Sequence, residues 1–368
     1  MPLTRQNGSS VQAVHKRASD ASEPSRALAL PPTDPWLKRW SRRAITGPGL
    51  VVLTLVELTL LPALLCVAAL LDLWKRRGLS HVRFVLAITY NLWLHIAGLA
   101  VLWASWLVGG HWLGLPAERQ RRLDKAAQGW WARQVWRGAA RVYRLRLEIR
   151  GTDAFVEGGF VLMPRHASIL DTVLPLVLLA DARGYRLRYV VKRELLWDPC
   201  IDLAGDRFPT AFVRRGGADH QTEIDRVLCL IEDLGPEDVV VIFPEGTRYS
   251  LAKRERVLRS LQRKQPETAR WAAKLRHLLP PHPGGTHALL RSGEHDVVFC
   301  AHTGLEPANH FADMLDGRLL DATVKLQFWR VPAAELPSDP IEREHWLRGW
   351  WDRIDDWIEV ERARPADH

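Results

Sequence analysis

The stretch Val239-Val240-Val241-Ile242-Phe243-Pro244-Glu245-Gly246-Thr247-Arg248 joins an apolar strand directly to a polar turn. The apolar residues at its start predict a buried strand. The turn combines a carboxylate, a glycine that lets the backbone approach a ligand, and an arginine whose planar fork suits a phosphate. A strand that ends so abruptly predicts a functional site at its carboxyl end.

A second polar segment, Pro164-Arg165-His166-Ala167-Ser168-Ile169-Leu170-Asp171, follows another apolar strand at residues 159–163. Its His166 and Asp171 form one of three His-x4-Asp matches in the chain, of which about one is expected by chance. The other two lie in a polar tail and at the start of a predicted amphipathic helix. Only this pair follows a strand, so we expect it to share one site with the later turn.

Together the two segments resemble the motifs of the membrane-bound glycerolipid acyltransferases, the 1-acylglycerol-3-phosphate acyltransferase family, whose hallmarks are Asn-His-x4-Asp and Phe-Pro-Glu-Gly-Thr-Arg. The resemblance covers roughly residues 45–358. It departs at Arg165, where the family usually has Asn, and at His282, where relatives often carry Arg. Two further segments are similar to the family's second and fourth motifs: Lys192-Arg193-Glu194-Leu195 with Pro199 and Phe212-Val213-Arg214, and Leu279-Pro280-Pro281 with Gly285.

The resemblance implies that an acyl thioester is attacked by a lipid hydroxyl, with His166 as general base and Asp171 orienting its imidazole. On one continuous helix these two residues would lie about 140° apart. They must therefore meet across a turn at a helix start, where Ser168 is a candidate cap. The alternative is structural: Asp171 serves the helix amino-terminus and His166 only ends a strand.

The predicted substrate-binding residues lie in the later turn and near the ends of other strands. Arg248 and Arg214 are expected to bind the phosphate of a lysophospholipid, and Glu245 to hold the acceptor glycerol or to position an arginine. The structural alternative is an ion pair between Glu245 and Arg248 that closes the turn. The full predicted set is Lys192, Arg193, Arg214, Glu245, Gly246, Thr247 and Arg248.

The chain has no Gly-x-Ser-x-Gly nucleophile motif and no Gly-rich phosphate loop, which favours direct transfer in a ternary complex over a covalent acyl-enzyme or nucleotide hydrolysis. We expect acyl-CoA or acyl-carrier protein as donor, lysophosphatidic acid or a related lysophospholipid as acceptor, no cofactor and no nucleic-acid partner. A non-catalytic lipid-binding protein and a thioester hydrolase are the alternatives. The four cysteines lack metal-ligand or disulfide spacing, so no metal is expected.

After Gly151 the pattern alternates between strands and helices. Strands are predicted at 159–163, 187–191, 210–214, 239–243, 296–301 and 322–330, and helices near 168–182, 194–204, 219–234, 252–278 and 341–361. This alternation predicts an α/β fold with a mixed, largely parallel sheet flanked by helices. Catalytic groups of such sheets gather beyond the carboxyl ends of the strands.

Two apolar segments precede this domain. Residues 44–71 carry one charge, Glu57, and residues 84–110 carry none beyond His95; each exceeds the roughly 20 residues that span a bilayer as a helix. A buried core is the alternative reading. We predict a hydrophobic two-helix membrane segment at 34–115, after a disordered polar tail at 1–33 and before an interfacial linker helix at 116–150 and a catalytic domain at 151–364. The segment has no signal-peptide pattern, so it is expected to remain as an anchor.

Basic residues lie outside both apolar segments and between them. Those on the outer flanks outnumber those in the loop, so a spanning hairpin places the catalytic domain on the cytoplasmic side of the inner membrane. A hairpin that enters one leaflet is the alternative. Glu57 and His95 fall at similar depth in either arrangement, which predicts a hydrogen bond from Glu57 to His95 or Asn91. Residues 253–276 carry a surplus of seven positive charges, which indicates a surface facing anionic lipid.

Overall fold

Seven strands form one sheet in the part of the chain that the computed structural model describes, residues 33–76, 78–112, 114–155, 158–214 and 220–364. They are β1 (Arg146–Arg150), β2 (Phe160–Pro164), β3 (Arg186–Lys192), β4 (Thr210–Val213), β5 (Asp238–Val241), β6 (Asp296–Thr303) and β7 (Thr323–Val331). Their order across the sheet is β1-β7-β6-β2-β5-β3-β4.

Strands β2 to β6 all run parallel, whereas β7 is antiparallel to β6, and β1 is parallel to β7. The mixed, largely parallel sheet predicted from the sequence is confirmed. The five parallel strands end at one side of the sheet, which we call the carboxyl edge. The residues that follow β2, β3, β5 and β6 are therefore neighbours in space.

The central strands are buried on both faces. Every residue of β2 and of β5 is buried, because helices cover the sheet on both sides, and this explains their unbroken apolar sequences. Phe160 and Leu162 point into a core that includes Tyr143, whereas Val161 packs in the opposite core with Trp351.

The helices that supply these cores surround the sheet. In chain order they are α1 (Trp36–Lys75), α2 (Ser80–Ser105), α3 (Ala117–Tyr143), α4 (Pro199–Ala204), α5 (His220–Leu228), α6 (Leu251–Lys264), α7 (Pro266–Ala272), α8 (Pro283–Arg291) and α9 (Pro340–Ala363). A π-helical segment, Trp106–Trp112, continues α2. Helix α3 packs against the first core and α9 against the second.

Several elements differ from the sequence prediction. The segment predicted as a helix at 168–182 is a 3-10 turn, Leu170–Thr172, followed by a π-helical segment, Leu176–Asp181. The segment predicted at 194–204 is a 3-10 segment, Arg193–Trp197, followed by α4, and the helix predicted at 219–234 ends at Leu228. The helix predicted at 252–278 is two helices, α6 and α7, because Pro266 lacks a donor and disfavours helical geometry at Gln265, whose φ is −146°. Helix α8 was not predicted. Strand β1 lies inside the predicted linker 116–150, so the sheet begins before the predicted domain boundary at 151.

Helices α1 and α2 form a hairpin that is long and apolar enough to enter a membrane. Only 6% and 17% of the residues in their most apolar windows are buried within the protein. A core helix of a soluble domain would bury most of that surface. The two helices thus present apolar side chains outward, which is consistent with membrane association. Residues 1–32 of the tail predicted at 1–33 lie outside the described residues.

Both ends of this hairpin contact the catalytic domain. At the start of α1, Arg42 Nη2 donates to Asp202 Oδ1 at 2.8 Å. At the turn, Ser80 Oγ donates to the backbone oxygen of Leu315 at 3.0 Å. Asp202 follows β3 and Leu315 follows β6, so each contact lies on a segment that leaves the carboxyl edge. The turn therefore lies against the domain rather than pointing away from it.

The predicted bond from Glu57 to His95 or Asn91 is wrong. Glu57 instead accepts a hydrogen bond from Thr89 Oγ1. His95 lies 3.2 Å through Nε2 from Asp198 Oδ2. The reason is that α2 packs against the catalytic domain as well as against α1, so His95 turns toward the domain.

Candidate active site

His166 and Asp171 meet in the loop that follows β2. His166 Nδ1 lies 3.0 Å from Asp171 Oδ1. The other carboxylate oxygen accepts backbone N–H groups from Ala167 at 2.6 Å and Ser168 at 2.7 Å. Ser168 Oγ accepts from the Leu170 N–H at 3.0 Å, so the loop closes in a turn at the start of a short helix. The predicted contact between the two residues is present.

The arrangement determines which histidine nitrogen is basic. Because the Asp171 carboxylate accepts hydrogen bonds, it holds the proton on Nδ1 and leaves the lone pair on Nε2. The imidazole packs against Phe243, with 4.6 Å between ring centroids. Its side chain is 15% exposed, so one edge of the ring reaches the surface. Nε2 is thus the atom that can take a proton from a bound hydroxyl.

Asp171 is held ionised. Its side chain is 1% exposed, and although this burial opposes the charge, attraction from His166 and hydrogen bonds from His166 and His302 hold the pKa of the carboxyl below its usual range. A carboxylate that stays charged can steady the positive imidazole that forms on proton transfer. This is the electrostatic requirement of general-base catalysis by His166.

His302 is a second histidine on the same carboxylate, and the sequence analysis missed it. Its Nε2 lies 3.4 Å from Asp171 Oδ2 and 3.2 Å from the backbone oxygen of Arg165. Both partners are acceptors, so Nε2 carries the proton. The only signal in the sequence was a polar residue near the end of the otherwise apolar strand β6.

Glu245 holds the His166 loop against the segment that contains Leu279. Its Oε1 accepts the His166 backbone N–H at 2.6 Å, and its Oε2 accepts that of Leu279 at 2.8 Å. The residue is 4% exposed, and burial raises the pKa of its carboxyl to about 8. The described contacts include no ion pair between Glu245 and Arg248, which was the structural alternative, and a role in holding the acceptor glycerol stays a prediction. Glu245 fixes the backbone position of the candidate base.

The rest of the turn joins the two motifs. The Gly246 N–H donates to Phe243 O at 2.8 Å, and Gly246 has a φ of 64°, a conformation that favours glycine. Thr247 follows in the same half-buried turn. Tyr249 N–H donates to His166 O at 2.8 Å. Arg248 Nη1 donates to Asn309 O, which places its guanidinium between the segments that follow β5 and β6.

Arg165, which stands where the resemblance led us to expect Asn, is buried and paired. It is 1% exposed, and its Nη1 donates to His302 O at 2.6 Å and to Glu306 Oε1 at 2.7 Å. Its Nη2 donates to His277 O at 3.2 Å. Burial opposes the charge of Glu306, but the Arg165 guanidinium lowers the pKa of that carboxyl to about 2. The arginine therefore joins three segments beneath the site and does not face a substrate.

The other predicted binding residues lie farther from His166. Lys192 ends β3. Arg193, the next residue, is paired with Asp34 at the start of the hairpin. Arg214 follows β4, the edge strand, and is exposed; three inter-strand spacings, about 14 Å, separate β4 from β2. The structure thus brings together His166, Asp171 and Glu245 with Arg248 beside them. Lys192 and Arg193 lie two strands from β2, and Arg214 three strands, along the same carboxyl edge.

Comparisons with known proteins converge on one kind of domain. A family model described as Acyltransferase matches residues 146–300. The 1-acyl-sn-glycerol-3-phosphate acyltransferase epsilon of Mus musculus is 31% identical over 134 residues, which is 36% of this chain and 36% of that protein. The chain thus matches about a third of the length of this relative.

A solved structure shares the fold. The crystal structure of the 1-acyl-sn-glycerophosphate (LPA) acyltransferase PlsC from Thermotoga maritima has a TM-score of 0.53 and 16% sequence identity. The likeness covers 80% of this chain and 99% of that one. It therefore includes most of the architecture described above.

Proposed function

Because residues 146–300 match a family model described as Acyltransferase, we propose that the protein is a membrane-bound O-acyltransferase that converts lysophosphatidic acid, or a related lysophospholipid, to its diacyl product. The observation that carries the proposal is the His166–Asp171 contact of 3.0 Å at the carboxyl edge. An ionised Asp171 and a basic Nε2 supply what a hydroxyl acceptor needs, since a lipid alcohol is a poor nucleophile at neutral pH.

The reaction is a direct transfer. Nε2 of His166 removes the proton of the acceptor hydroxyl while its oxygen attacks the thioester carbonyl, and the thiolate of the donor leaves and takes up a proton. The donor is acyl-CoA or acyl-carrier protein. Glu245 keeps the His166 backbone in place through the 2.6 Å hydrogen bond. Arg248 beside the loop is the residue positioned to bind the acceptor phosphate with its remaining N–H groups.

The hairpin supports the proposed location of the protein at a membrane. Its outward apolar side chains anchor the protein in the bilayer, and the contact of its turn with Leu315 supports entry into one leaflet, since a spanning hairpin would place the turn across the membrane. The catalytic domain then lies on one side, which the flanking basic residues indicate is the cytoplasmic side of the inner membrane. A lipid acceptor meets the site at the membrane surface.

One assay tests the reaction. Purified full-length protein is incubated with labelled acyl-CoA in vesicles with and without lysophosphatidic acid. Labelled phosphatidic acid that forms only with the acceptor supports the proposal. Labelled free fatty acid that forms without the acceptor identifies a thioester hydrolase. If neither product forms, the protein is a non-catalytic lipid-binding protein.

A variant tests the acceptor site. Arg248→Lys replaces a planar fork by a point charge, so we expect the apparent KM for lysophosphatidic acid to rise about tenfold at saturating donor. The KM for acyl-CoA should change much less. Arg214→Lys serves as the control, because that residue lies three strands away. Equal increases in both KM values for Arg248→Lys would contradict its assignment to the acceptor.

A further inference from the structure

Four large apolar side chains of the catalytic domain are exposed at the carboxyl edge. Leu195 is 41% exposed, Trp197 63%, Leu251 71% and Phe311 52%. Leu195 and Trp197 follow β3, Leu251 follows β5 and Phe311 follows β6. Burying such side chains is ordinarily favourable by about 1.5–3 kcal/mol each. A set of them at one edge of a domain therefore calls for a partner that covers it.

These residues flank the candidate active site. His166 follows β2, which lies between β5 and β6 in the sheet. Tyr249, two residues before Leu251, donates its N–H to His166 O at 2.8 Å. Asn309, two residues before Phe311, accepts a hydrogen bond from Arg248. Three inter-strand spacings, about 14 Å, separate β3 from β6, so the exposed side chains stand on both sides of the site.

The apolar hairpin reaches the same edge. The start of α1 contacts Asp202, in the segment that carries Leu195 and Trp197, through Arg42 at 2.8 Å. The turn between α1 and α2 contacts Leu315, in the segment that carries Phe311, at 3.0 Å. The hairpin therefore lies next to both segments that carry the exposed apolar side chains of the domain, and one apolar phase can cover both.

We propose that Leu195, Trp197, Leu251 and Phe311 form an apolar rim that inserts into the bilayer interface around the His166 loop. This inference rests on the membrane association in the proposed function and adds a second, independent contact with lipid. Tryptophan suits the interface because its ring is apolar and its N–H is polar. With the rim inserted, a lysophospholipid reaches His166 without leaving the lipid phase.

The chain contains a matched control for the rim. Ile341 in the first turn of α9 is 68% exposed. Helix α9 follows β7, which runs antiparallel to β6, so Ile341 lies near the edge opposite to the site. Its exposure falls within the 41–71% range of the rim residues, but its position predicts contact with water.

The test uses an environment-sensitive fluorophore attached to single cysteines in the full-length protein. Exposed Cys66 and half-buried Cys229 are replaced by Ser, and the buried Cys200 and Cys300 are retained. Labels replace one residue at a time at the rim positions 197, 251 and 311, at the control position 341, and at Leu60 on the exposed face of α1. The proteins bind vesicles of phosphatidylcholine and phosphatidylglycerol that contain nitroxide-bearing lipids.

Quenching at 197, 251 and 311 without quenching at 341 supports the rim. Quenching at 60 but not at the three rim positions overturns it and leaves the hairpin anchor intact. Equal quenching at 341 also overturns it, because the contact then has no preferred edge. Absence of quenching at every position, including 60, contradicts the membrane association itself and removes the rim with it.

Activity supplies the second readout. The triple variant Trp197→Ser, Leu251→Ser, Phe311→Ser should lower kcat/KM for lysophosphatidic acid held in vesicles about tenfold. It should leave kcat/KM for a water-soluble short-chain acceptor unchanged, since these side chains do not contact the His166 imidazole. Ile341→Ser should change neither. Equal loss on both acceptors would show that the substitutions disturb the site itself and would overturn the rim.

Discussion

The hairpin and the catalytic domain distribute polar and apolar side chains in opposite ways. Strands β2 and β5 bury Val, Leu and Phe on both faces. In α1, by contrast, the buried residues are Arg42, Thr54, Ala68 and Asp72, whereas most of its Leu residues and all of its Val residues are exposed. The same apolar character in the sequence thus leads to burial in one region and to exposure in the other.

The inversion indicates that the two regions have different surroundings. Water covers the outer surface of an ordinary α/β domain, so its apolar residues go inside. A helix in lipid gains little from burying Leu, and its specific contacts come from polar groups that avoid the hydrocarbon. The buried contact between Arg42 at the start of α1 and Asp202 of the catalytic domain matches this expectation. One His–Asp pair lies within the catalytic domain and another, His95–Asp198, joins the hairpin to that domain, which allows the comparison to be tested.

The largest expected effect separates the two His–Asp pairs. His166–Asp171 at 3.0 Å and His95–Asp198 at 3.2 Å have similar geometry, but only His166 lies at the proposed reaction centre. His166→Ala should lower kcat about a thousandfold, the typical contribution of a general base, with Asp171→Asn nearly as severe. His95→Ala should leave kcat within a few fold. Comparable losses in both would remove the functional distinction between the pairs.

The second prediction concerns a buried charge in the catalytic domain. Glu306→Gln leaves Arg165, 1% exposed, without its carboxylate, which should lower the free energy of unfolding at pH 7 by about 3 kcal/mol. Glu294→Gln, on the exposed loop before β6, is the control and should have almost no effect. Urea unfolding in detergent, followed by tryptophan fluorescence, measures both.

The pH dependence of this effect follows from the Glu306 carboxyl. Arg165 lowers its pKa from 4.5 to about 2, so the native state binds fewer protons than the unfolded state between these values. The pair therefore stabilises the fold fully above pH 4.5 and loses this contribution as the pH falls toward 2. The difference between wild type and Glu306→Gln should narrow over that window. If the difference in the free energy of unfolding stays constant over this pH range, the Glu306–Arg165 ion pair is not its cause.

The segments around His166 and Glu245 show how far the sequence could predict the structure. The apolar runs before His166 and Glu245 were sufficient to predict the sheet and the meeting of the two motifs. A substrate-binding role for Glu245 stays a prediction, but the sequence did not predict that its carboxylate accepts the N–H groups of His166 and Leu279. Those donors come from distant segments and leave no local pattern in the sequence.

Long-range contacts also explain why His302 was missed and why the predicted partner of Glu57 was wrong. His302 reaches Asp171 from β6, and the register of the hairpin depends on the contact of His95 with Asp198 in the catalytic domain. Neither contact is visible in the periodicity of a single helix or strand. Arg165 was recognised only as a departure from the family's Asn. Its role in the structure depends on the ion pair with Glu306, which lies far away in the sequence.

A smaller effect is expected at His302, which touches the reaction only through Asp171. His302→Leu removes the donor 3.4 Å from Asp171 Oδ2 and should lower kcat/KM about tenfold, the scale of one hydrogen bond to a charged group. His302→Gln can return an N–H to the position of Nε2 and should recover most of this loss.

The kinetic constants distinguish this positioning role from a general loss of folding. In His302→Leu the loss should appear in kcat, with the KM for the acceptor nearly unchanged, because His302 touches the reaction only through Asp171. The same substitution also removes the contact of His302 Nε2 with the Arg165 backbone oxygen at 3.2 Å, so the unfolding midpoint in urea is measured alongside. An equal fall of kcat in His302→Gln, or a loss that follows the amount of folded protein, would assign His302 to structure alone.

The smallest expected effect asks whether lipid contact extends to the basic surface of α6. This helix has no buried residue and exposes Arg256, Arg259 and Arg263. Arg259→Gln should weaken binding of the full-length protein to vesicles containing phosphatidylglycerol about fivefold, since one basic residue near an anionic surface contributes about 1 kcal/mol. Binding to phosphatidylcholine alone should not change, because the hairpin is apolar. Arg122→Gln on α3, where Glu118 already balances the charge, is the control. If Arg259→Gln weakens binding to both kinds of vesicle equally, the basic surface does not face lipid, and contact with the bilayer is apolar throughout.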